Sequence, residues 1–321
     1  AKTEDYLVGL DVGTTKTCCV LAKPNERGGL DILGVGSRAS AGMRKGMIVN
    51  LESAVETIKG AVEDAELMSG KGVGRASVSL SGERTRSINY QGVVAVSGRG
   101  RAVTREDVDR VIEAARQVQI PQDSEVLHVL PQEFQIDGQT GISDPVGMSG
   151  DRLEANVHVV TVLAAAAQNL VTCVNRAGIE VADLVLPALA AADVILTPDE
   201  RELGVALVEV GGGTVHLSIF ERGAVWHSAV LPVGGDNVTK DIAVGLRTPI
   251  PEAERIKRRY GSALEPVTEE DDTLEVPAVA GRKARVISRS VLGEVVRART
   301  EEICQLIRSE VERAGLLESI N

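Results

Sequence analysis

Two stretches of this chain repeat one pattern. Val8-Gly9-Leu10-Asp11-Val12-Gly13-Thr14-Thr15 and Leu207-Val208-Glu209-Val210-Gly211-Gly212-Gly213-Thr214 are each an apolar strand that ends in a carboxylate, passes one residue and enters a Gly/Thr turn leading to another strand. Asp11 and Glu209 lie 198 positions apart, which suggests two related lobes, each offering a tight turn to a shared cleft. A chain of 321 residues has room for that at the usual ~100–200 residues per domain. The chemistry of such a turn favours phosphate. Glycine lets backbone N–H groups approach an anion with no Cβ in the way, and threonine hydroxyls add donors. A carboxylate just ahead of the turn can organise Mg2+ and water beside the phosphates. One Gly-rich hairpin needs its glycine for the turn alone; the matched pair is what points to a ligand.

Because each turn joins two strands, the expected cradle involves no helix N-terminus. The GxxxxGK[ST] pattern of a P-loop is absent, and no GxGxxG follows a strand, which disfavours a dinucleotide site.

Composition removes other classes. The 35 Lys+Arg stand against 46 Asp+Glu, a formal charge of −11, and aromatics are only 2%. Nucleic-acid binding calls for basic surface and stacking rings, so no nucleic-acid partner is expected. Hydrophobic residues at 43% suffice for a core, which must be aliphatic. No apolar run reaches the ~18 residues of a membrane helix. The opening AKTEDYLVGLD is charged and runs directly into a strand, unlike a secretory signal. Four cysteines, with Cys18 and Cys19 adjacent, make no disulfide framework and suit a reduced cytosolic setting. Four histidines without CxxC or HxxxH spacing disfavour zinc.

Strand-like and helix-like segments alternate, which predicts an α/β architecture. Leu7–Asp11 and Cys18–Ala22 read as strands around the first turn, with further strands at Leu30–Val35 and Val78–Leu80. Residues 52–68 read as a helix with Val55, Ile58, Val62 and Ala65 on one face and Gly70 as its stop. From 83 to 160 the character changes. A strand at GVVAVSG leads to a helix capped by Thr104 with the stripe Val108, Val111, Ile112 and Ala115, and then to EVLHVL, EFQID and EANVHVVTV. This is a β-α-β-β-β unit suited to an insert. A helix over 165–177 stops at Gly178, Thr248-Pro-Ile-Pro-Glu opens another that runs to Tyr260, and residues 289–315 form one long amphipathic helix. The acidic run at 269–272 reads as a solvated loop. Glu254, Lys257 and Arg258 fall at i, i+3 and i+4 on one helix face, able to take ribose hydroxyls on the carboxylate and adenine on the cationic stems.

These motifs carry a resemblance. VGLDVGTTKT, ILGVGSRASAGMRKGMIVNLE, REDVDRVIEAA, HVLPQEFQIDGQTGISDPVGMSGDRLEANVH, AAQNLVTCVNRAGIEVADLVL, VEVGGGTVHLSIF, LPVGGDNVTKDIAVGLRTPIPEAERIKRRYGSAL and the final helix resemble, in order and over nearly the whole chain, the actin-like ATPase superfamily and within it the FtsA family of bacterial cell-division proteins. The resemblance implies a two-lobed actin-like α/β fold with ATP and Mg2+ in the cleft. It divides the chain into a first-lobe core (1–82), the inserted subdomain (83–161), a return to that core with the interlobe connection (162–200), a second-lobe core (201–245), a second-lobe outer subdomain (246–301) and the end of the long helix (302–321). It implies that Asp11, Gly13, Thr14, Thr15 and Lys16 form the first phosphate segment and Gly211, Gly212, Gly213 and Thr214 the second. Gly235 would lie near ribose and phosphates, with Glu254, Lys257 and Arg258 on the nucleoside. Asp11 and Glu209 are the candidate Mg2+-holding and catalytic carboxylates.

It implies partners as well: self-assembly into filaments, the C-terminal tail of the tubulin-like FtsZ on the second lobe, and other division proteins on the insert. The place of action is cytoplasmic, at the inner face of the membrane at the division site. Arg285, Arg289, Arg297 and Arg299 could offer a basic face to the acidic, hydrophobic FtsZ tail. Relatives continue into a last Gly-rich adenosine segment, closing strands and a membrane-binding helix, so this sequence reads as C-terminally truncated. Membrane attachment would depend on a helix outside these residues.

Three departures from the family pattern favour weak or absent hydrolysis. Glu209 and His216 stand where aspartates are usual, and the extra methylene of Glu209 shifts the carboxylate where metal geometry is tight. His216 reads as a structural residue of its strand. Pro187 and Ala188 fall where relatives carry a Gln or Glu that orients water, and proline has no side-chain donor or acceptor. The alternative reading is an ATPase or small-molecule kinase of the same fold, but no carboxylate motif beyond Asp11 and Glu209 supports it. A pilus-assembly adaptor of this fold is disfavoured by the FtsA-type insert.

Overall fold

The computed structural model describes residues 6–82, 84–97, 102–117, 119–264, 273–277 and 283–320; the acidic run at 269–272 lies outside them. The first lobe begins with β1 (Leu7–Val12), β2 (Lys16–Pro24) and β3 (Leu30–Ala39), followed by a small hairpin of β4 (Met43–Arg44) and β5 (Met47–Ile48). Helix α1 (Leu51–Ser69) starts at Asn50, whose side chain accepts the Ser53 N–H, and ends at Gly70 in the left-handed conformation. Its buried face includes Ala54, Val55, Ile58 and Val62. Fully burying a side chain the size of Ile58 contributes about 1.5–3 kcal/mol. Strand β6 (Arg75–Ser79) follows.

The next unit is β7 (Arg86–Ala95), α2 (Arg105–Arg116), β8 (Ser124–Ile136), β9 (Gln139–Ile142) and β10 (Arg152–Leu163). Its sheet has the order β7-β10-β8-β9, with α2 packed on it around Val103, Val111, Phe134, Leu153 and Val157. Thr104 and Asp107 cap α2 reciprocally. EVLHVL and EFQID, expected as separate strands, form one strand running through Pro131. A register shift between Asn156 and Val157 of β10 lies opposite, and such a bulge absorbs the hydrogen bond that proline cannot make. The last strand of the β-α-β-β-β unit is therefore preceded by the short β9.

The chain returns through α3 (Ala164–Arg176) and β11 (Glu180–Val185), then α4 (Pro187–Ile195) and α5 (Pro198–Leu203). The first-lobe sheet has the order β11-β6-β1-β2-β3, with β1, β6 and β11 parallel and β1-β2-β3 antiparallel. The second lobe repeats the antiparallel part as β12 (Val205–Val210), β13 (Val215–Glu221) and β14 (Ala224–Leu231). Helices α6 (Gly235–Gly245) and α7 (Ile250–Tyr260), the hairpin of β15 (Thr273–Val276) and β16 (Arg285–Ser288), and the long α8 (Arg289–Ala314) complete it. Ile242, Ile256, Val276 and Leu292 anchor the outer core. Helices α4, α5 and α6 are not evident from the sequence pattern. Among the described residues, no helix is long and apolar enough to cross a membrane.

The insert leans on β14 through polar contacts. Ser87 Oγ donates to the Ser228 carbonyl (2.6 Å), Asn89 Nδ2 to that of Trp226 (3.1 Å) and Gln132 Nε2 to that of Val225 (2.9 Å). His158, fully buried, bridges Asn89 Oδ1 and Ser228 Oγ.

Candidate functional site

The two repeated turns are built alike. Gly13 N–H donates to the Lys16 carbonyl at 3.0 Å, and Gly211 N–H to that of Thr214 at 2.9 Å. Asp11 faces Cys18 across the first hairpin, and Glu209 faces His216 across the second. The turns meet. A Cβ placed on Gly212 would lie 2.3 Å from Thr15 Cγ2, and one on Gly213 would lie 2.6 Å from Thr14 Oγ1. Only glycine permits this approach.

Beside the contact lies a cavity of about 290 Å³ lined by Asp11, Gly13, Thr14, Thr15, Lys16, Glu209, Gly211, Gly212 and Thr214. Gly46, Ser81, Pro187 and His216 complete its wall. Ser81 follows β6 and Pro187 follows β11, so the cavity sits at the carboxyl ends of the parallel strands, where open α/β sheets place ligands.

The carboxylates differ in setting. Asp11 is exposed, and its Oδ1 accepts from Ser79 Oγ, which also accepts the Val12 N–H at 3.2 Å. Glu209 Oε2 is buried with no hydrogen-bond partner. Burial, and secondarily the charge of Asp11, push the Glu209 carboxyl above its ordinary range. His216 is 3% exposed, and burial drives its pKa down to about 4, so the ring is neutral. Its Nε2 lies 2.8 Å from Ser81 Oγ and 3.2 Å from Thr214 Oγ1, while its Nδ1 is buried without a partner. A neutral, hydroxyl-bound His216 accords with a structural role.

A second cluster adjoins the first. Lys257 Nζ binds Glu254 Oε2 (2.7 Å), Thr239 Oγ1 (2.8 Å) and the Gly235 carbonyl (3.1 Å), and Thr239 Oγ1 donates to Glu254 Oε2. Burial would raise the Glu254 pKa, but these hydrogen bonds from Lys257 and Thr239 prevail and hold it below its usual value. Gly235 N–H donates to the Gly211 carbonyl at 2.9 Å, joining the clusters. Gly235, Glu254 and Lys257 are thus brought together next to the second turn but do not line the 290 Å³ cavity, and Arg258 is exposed on the same helix.

The N-terminus of α6 packs on the second turn, with Gly235 and Asp236 N–H groups on the Gly211 and Gly212 carbonyls. These N–H groups are spent on the turn's own carbonyls, so the helix start supports the second turn from behind and does not line the cavity. Sequence reasoning missed Ser79, Ser81, Gly46 and Thr239. The available signal was the serine alternation, since Ser79 and Ser81 share one face at the end of β6, with Leu80 turned into the core.

The arginines offered as a partner face are partly engaged within the chain, Arg285 being exposed and the other three half-buried. Arg299 pairs with Asp241 (2.5 Å) and Glu302, Arg285 donates to the Leu246 carbonyl, Arg289 lies over the Tyr260 ring and Arg297 is half-buried. Among the described residues, no group of three or more His, Cys, Asp or Glu is arranged to hold a metal by itself. A Mg2+ ion suits the cavity in another way, since it keeps several waters and takes one or two carboxylates plus phosphate oxygens. Asp11 and the partnerless Glu209 oxygen are the matching donors.

Two lobes that repeat one carboxylate-turn hairpin around a cleft define the actin-like class. The type IV pilus PilM–PilN complex shares this fold with a TM-score of 0.66 over 97% of this chain and 78% of that one, at 16% identity. MreB5 of Spiroplasma citri bound to ADP does so with a TM-score of 0.54 over 97% and 80%, also at 16% identity. Family models match at residues 82–161, the SHS2 domain inserted in FtsA, and at 206–318, cell division protein FtsA. The cell division protein FtsA of Pseudomonas aeruginosa is 46% identical over 309 residues, which is 96% of this chain and 74% of that protein. FtsA of Escherichia coli is 41% identical over 311 residues, covering 97% and 74%. The chain belongs to the FtsA family of cell-division proteins.

Proposed function

We propose that this chain binds ATP with Mg2+ between its lobes, self-assembles, and recruits the tubulin-like FtsZ ring to the division site, hydrolysing ATP weakly or not at all. The observation that carries this is the convergence of two identically closed Gly/Thr turns on one cavity with Asp11 and Glu209. Backbone N–H groups of 14–16 and 212–214 would receive phosphate oxygens, those of Gly13 and Gly211 being used to close the turns. Thr14, Thr15 and Thr214 add hydroxyls, and Lys16 adds charge. Asp11 and Glu209 would hold Mg2+ largely through water, and the bound ion would neutralise phosphate charge. Gly235, Glu254, Lys257 and Arg258 would take the ribose and base side. MreB5, whose structure holds ADP, supports this reading by its shared fold.

Weak turnover is argued from the same wall. Pro187 lines the cavity with no group to orient water, and Glu209 carries its carboxylate one methylene further than aspartate. Nucleotide would favour one interlobe geometry, which filament contacts then select. The FtsZ tail would dock on the second lobe near Arg285, Arg289, Arg297 and Arg299. Other division proteins would use the insert, and membrane attachment would come from a C-terminal helix beyond these residues. The test is sedimentation and electron microscopy with and without Mg-ATP, beside binding of an FtsZ tail peptide. ATP-dependent filaments and peptide binding are expected; loss of both under saturating Mg-ATP would overturn the reading.

A further inference from the structure

The β4–β5 hairpin brings a residue to the cleft that no motif assigns. Its tip is Lys45-Gly46, and both residues lie in the left-handed region, at φ 49° and 72°. A two-residue turn of this kind favours Asn-Gly or Asp-Gly, and a residue with a long side chain there costs about 1–2 kcal/mol. The tip is wedged at the meeting of the two turns. Gly46 N–H donates to Thr14 Oγ1 at 2.9 Å. A Cβ on Gly46 would fall 2.7 Å from Ser81 Oγ, and a Cβ on Gly213 would fall 3.0 Å from Lys45 Cα. The tip therefore touches both halves of the phosphate cradle, Gly46 at Thr14 of the first turn and the half-buried Lys45, through its Cα, at Gly213 of the second. Strained backbone of this sort persists where the surroundings enforce it, and it concentrates at ligand clamps.

Charge points the same way. The cavity wall carries the Asp11 and Glu209 carboxylates and one cationic side chain, Lys16. A triphosphate entering it needs further positive charge, and an ammonium on a flexible four-carbon stem is a suitable point charge for phosphate. We propose that Lys45 is a phosphate-contacting residue, its ammonium engaging the terminal phosphates of a nucleoside triphosphate held by the two turns. The inference rests on the ATP reading above.

The test compares Lys45→Asn, neutral and tolerant of the left-handed conformation, with Lys45→Arg. Fluorescent ATP and ADP analogues are titrated with Mg2+, and melting temperature is recorded in parallel. Lys45→Asn should melt at or above the wild type yet bind the ATP analogue about tenfold more weakly, with a smaller loss for ADP. Lys45→Arg should stay within about threefold. Unchanged ATP affinity in Lys45→Asn, an equal loss for ATP and ADP, or a loss in Lys45→Arg accompanied by lower melting overturns the proposal and leaves the ATP reading standing. A wild-type chain that binds neither analogue rejects that reading, and this proposal with it.

Discussion

Ser81 Oγ lies 2.8 Å from His216 Nε2, and this bond crosses the cleft. Ser81 follows β6 of the first lobe, and His216 sits on β13 of the second. Two positions earlier on the same strand face, Ser79 fixes the Asp11 carboxylate. The end of β6 thus carries one hydroxyl for each lobe. Gly212 and Thr15 are in contact beside the Ser81–His216 bond, and that bond holds β6 of the first lobe to β13 of the second in this closed arrangement.

Removing that hydroxyl should loosen the closed arrangement. A hydrogen bond of this kind contributes about 1 kcal/mol, so Ser81→Ala should speed amide hydrogen exchange at Gly211, Gly212 and Gly213 roughly fivefold while global melting moves little. Exchange at these amides identical to the wild type would show that the bond does not hold the lobes.

Glu209 couples stability and function with opposite signs. Its carboxyl pKa is raised in the folded chain, so folding favours the protonated form. That contribution is present at low pH and is lost as the pH rises through the raised value. Glu209→Gln mimics the protonated group. It should raise the melting temperature by about 1–3 °C at neutral pH and weaken the Mg2+ dependence of nucleotide binding roughly tenfold. Calorimetry and nucleotide titration with and without Mg2+ read the two effects separately.

The paired turns were legible because a carboxylate, a spacer and a Gly/Thr run leave little else for a strand end to do. Helix α7 was legible because Pro249 and Pro251 mark its start and Gly261 its end. Helix α6 was not. It opens on Gly234-Gly235, which reads as a turn, and its start is secured from within by Asn237 Oδ1 accepting the Gly234 N–H at 3.2 Å. Ser79, Ser81 and Lys45 escaped for a different reason. Their roles come from strand pairing and from a hairpin of two-residue strands, neither of which leaves a periodic trace in sequence. The ion pairing of Arg299 with Asp241 is likewise a contact between distant segments.

The cavity wall also predicts how to raise turnover. Pro187 occupies the first position of α4, where its missing N–H costs little, so glutamine fits there without loss of helix. Pro187→Gln supplies a group to orient water, and Glu209→Asp restores the shorter carboxylate. Together they should raise phosphate release roughly tenfold in the ATP-bound protein. An unchanged rate in an ATP-bound double variant would show that neither position limits hydrolysis.

His158 ties the insert to the second lobe and should make that junction acid-sensitive. Its Nδ1–H donates to Asn89 Oδ1 at 2.7 Å, and Nε2 accepts from Ser228 Oγ at 3.0 Å, so the neutral ring is satisfied on both sides. Burial foremost, with His227 and His128 nearby, lowers its pKa from 6.5 to about 3. Between those values the unfolded chain binds a proton that the folded chain refuses, so stability falls as pH falls below 6.5. From about pH 7 to about pH 5 this one group should remove about 2 kcal/mol. His216 and His128, also lowered by burial, act in the same direction. His158→Gln keeps a polar side chain without the titration. Urea denaturation at the two pH values should show the variant losing about 2 kcal/mol less than the wild type over this interval. Identical losses in the two proteins would place the acid sensitivity elsewhere.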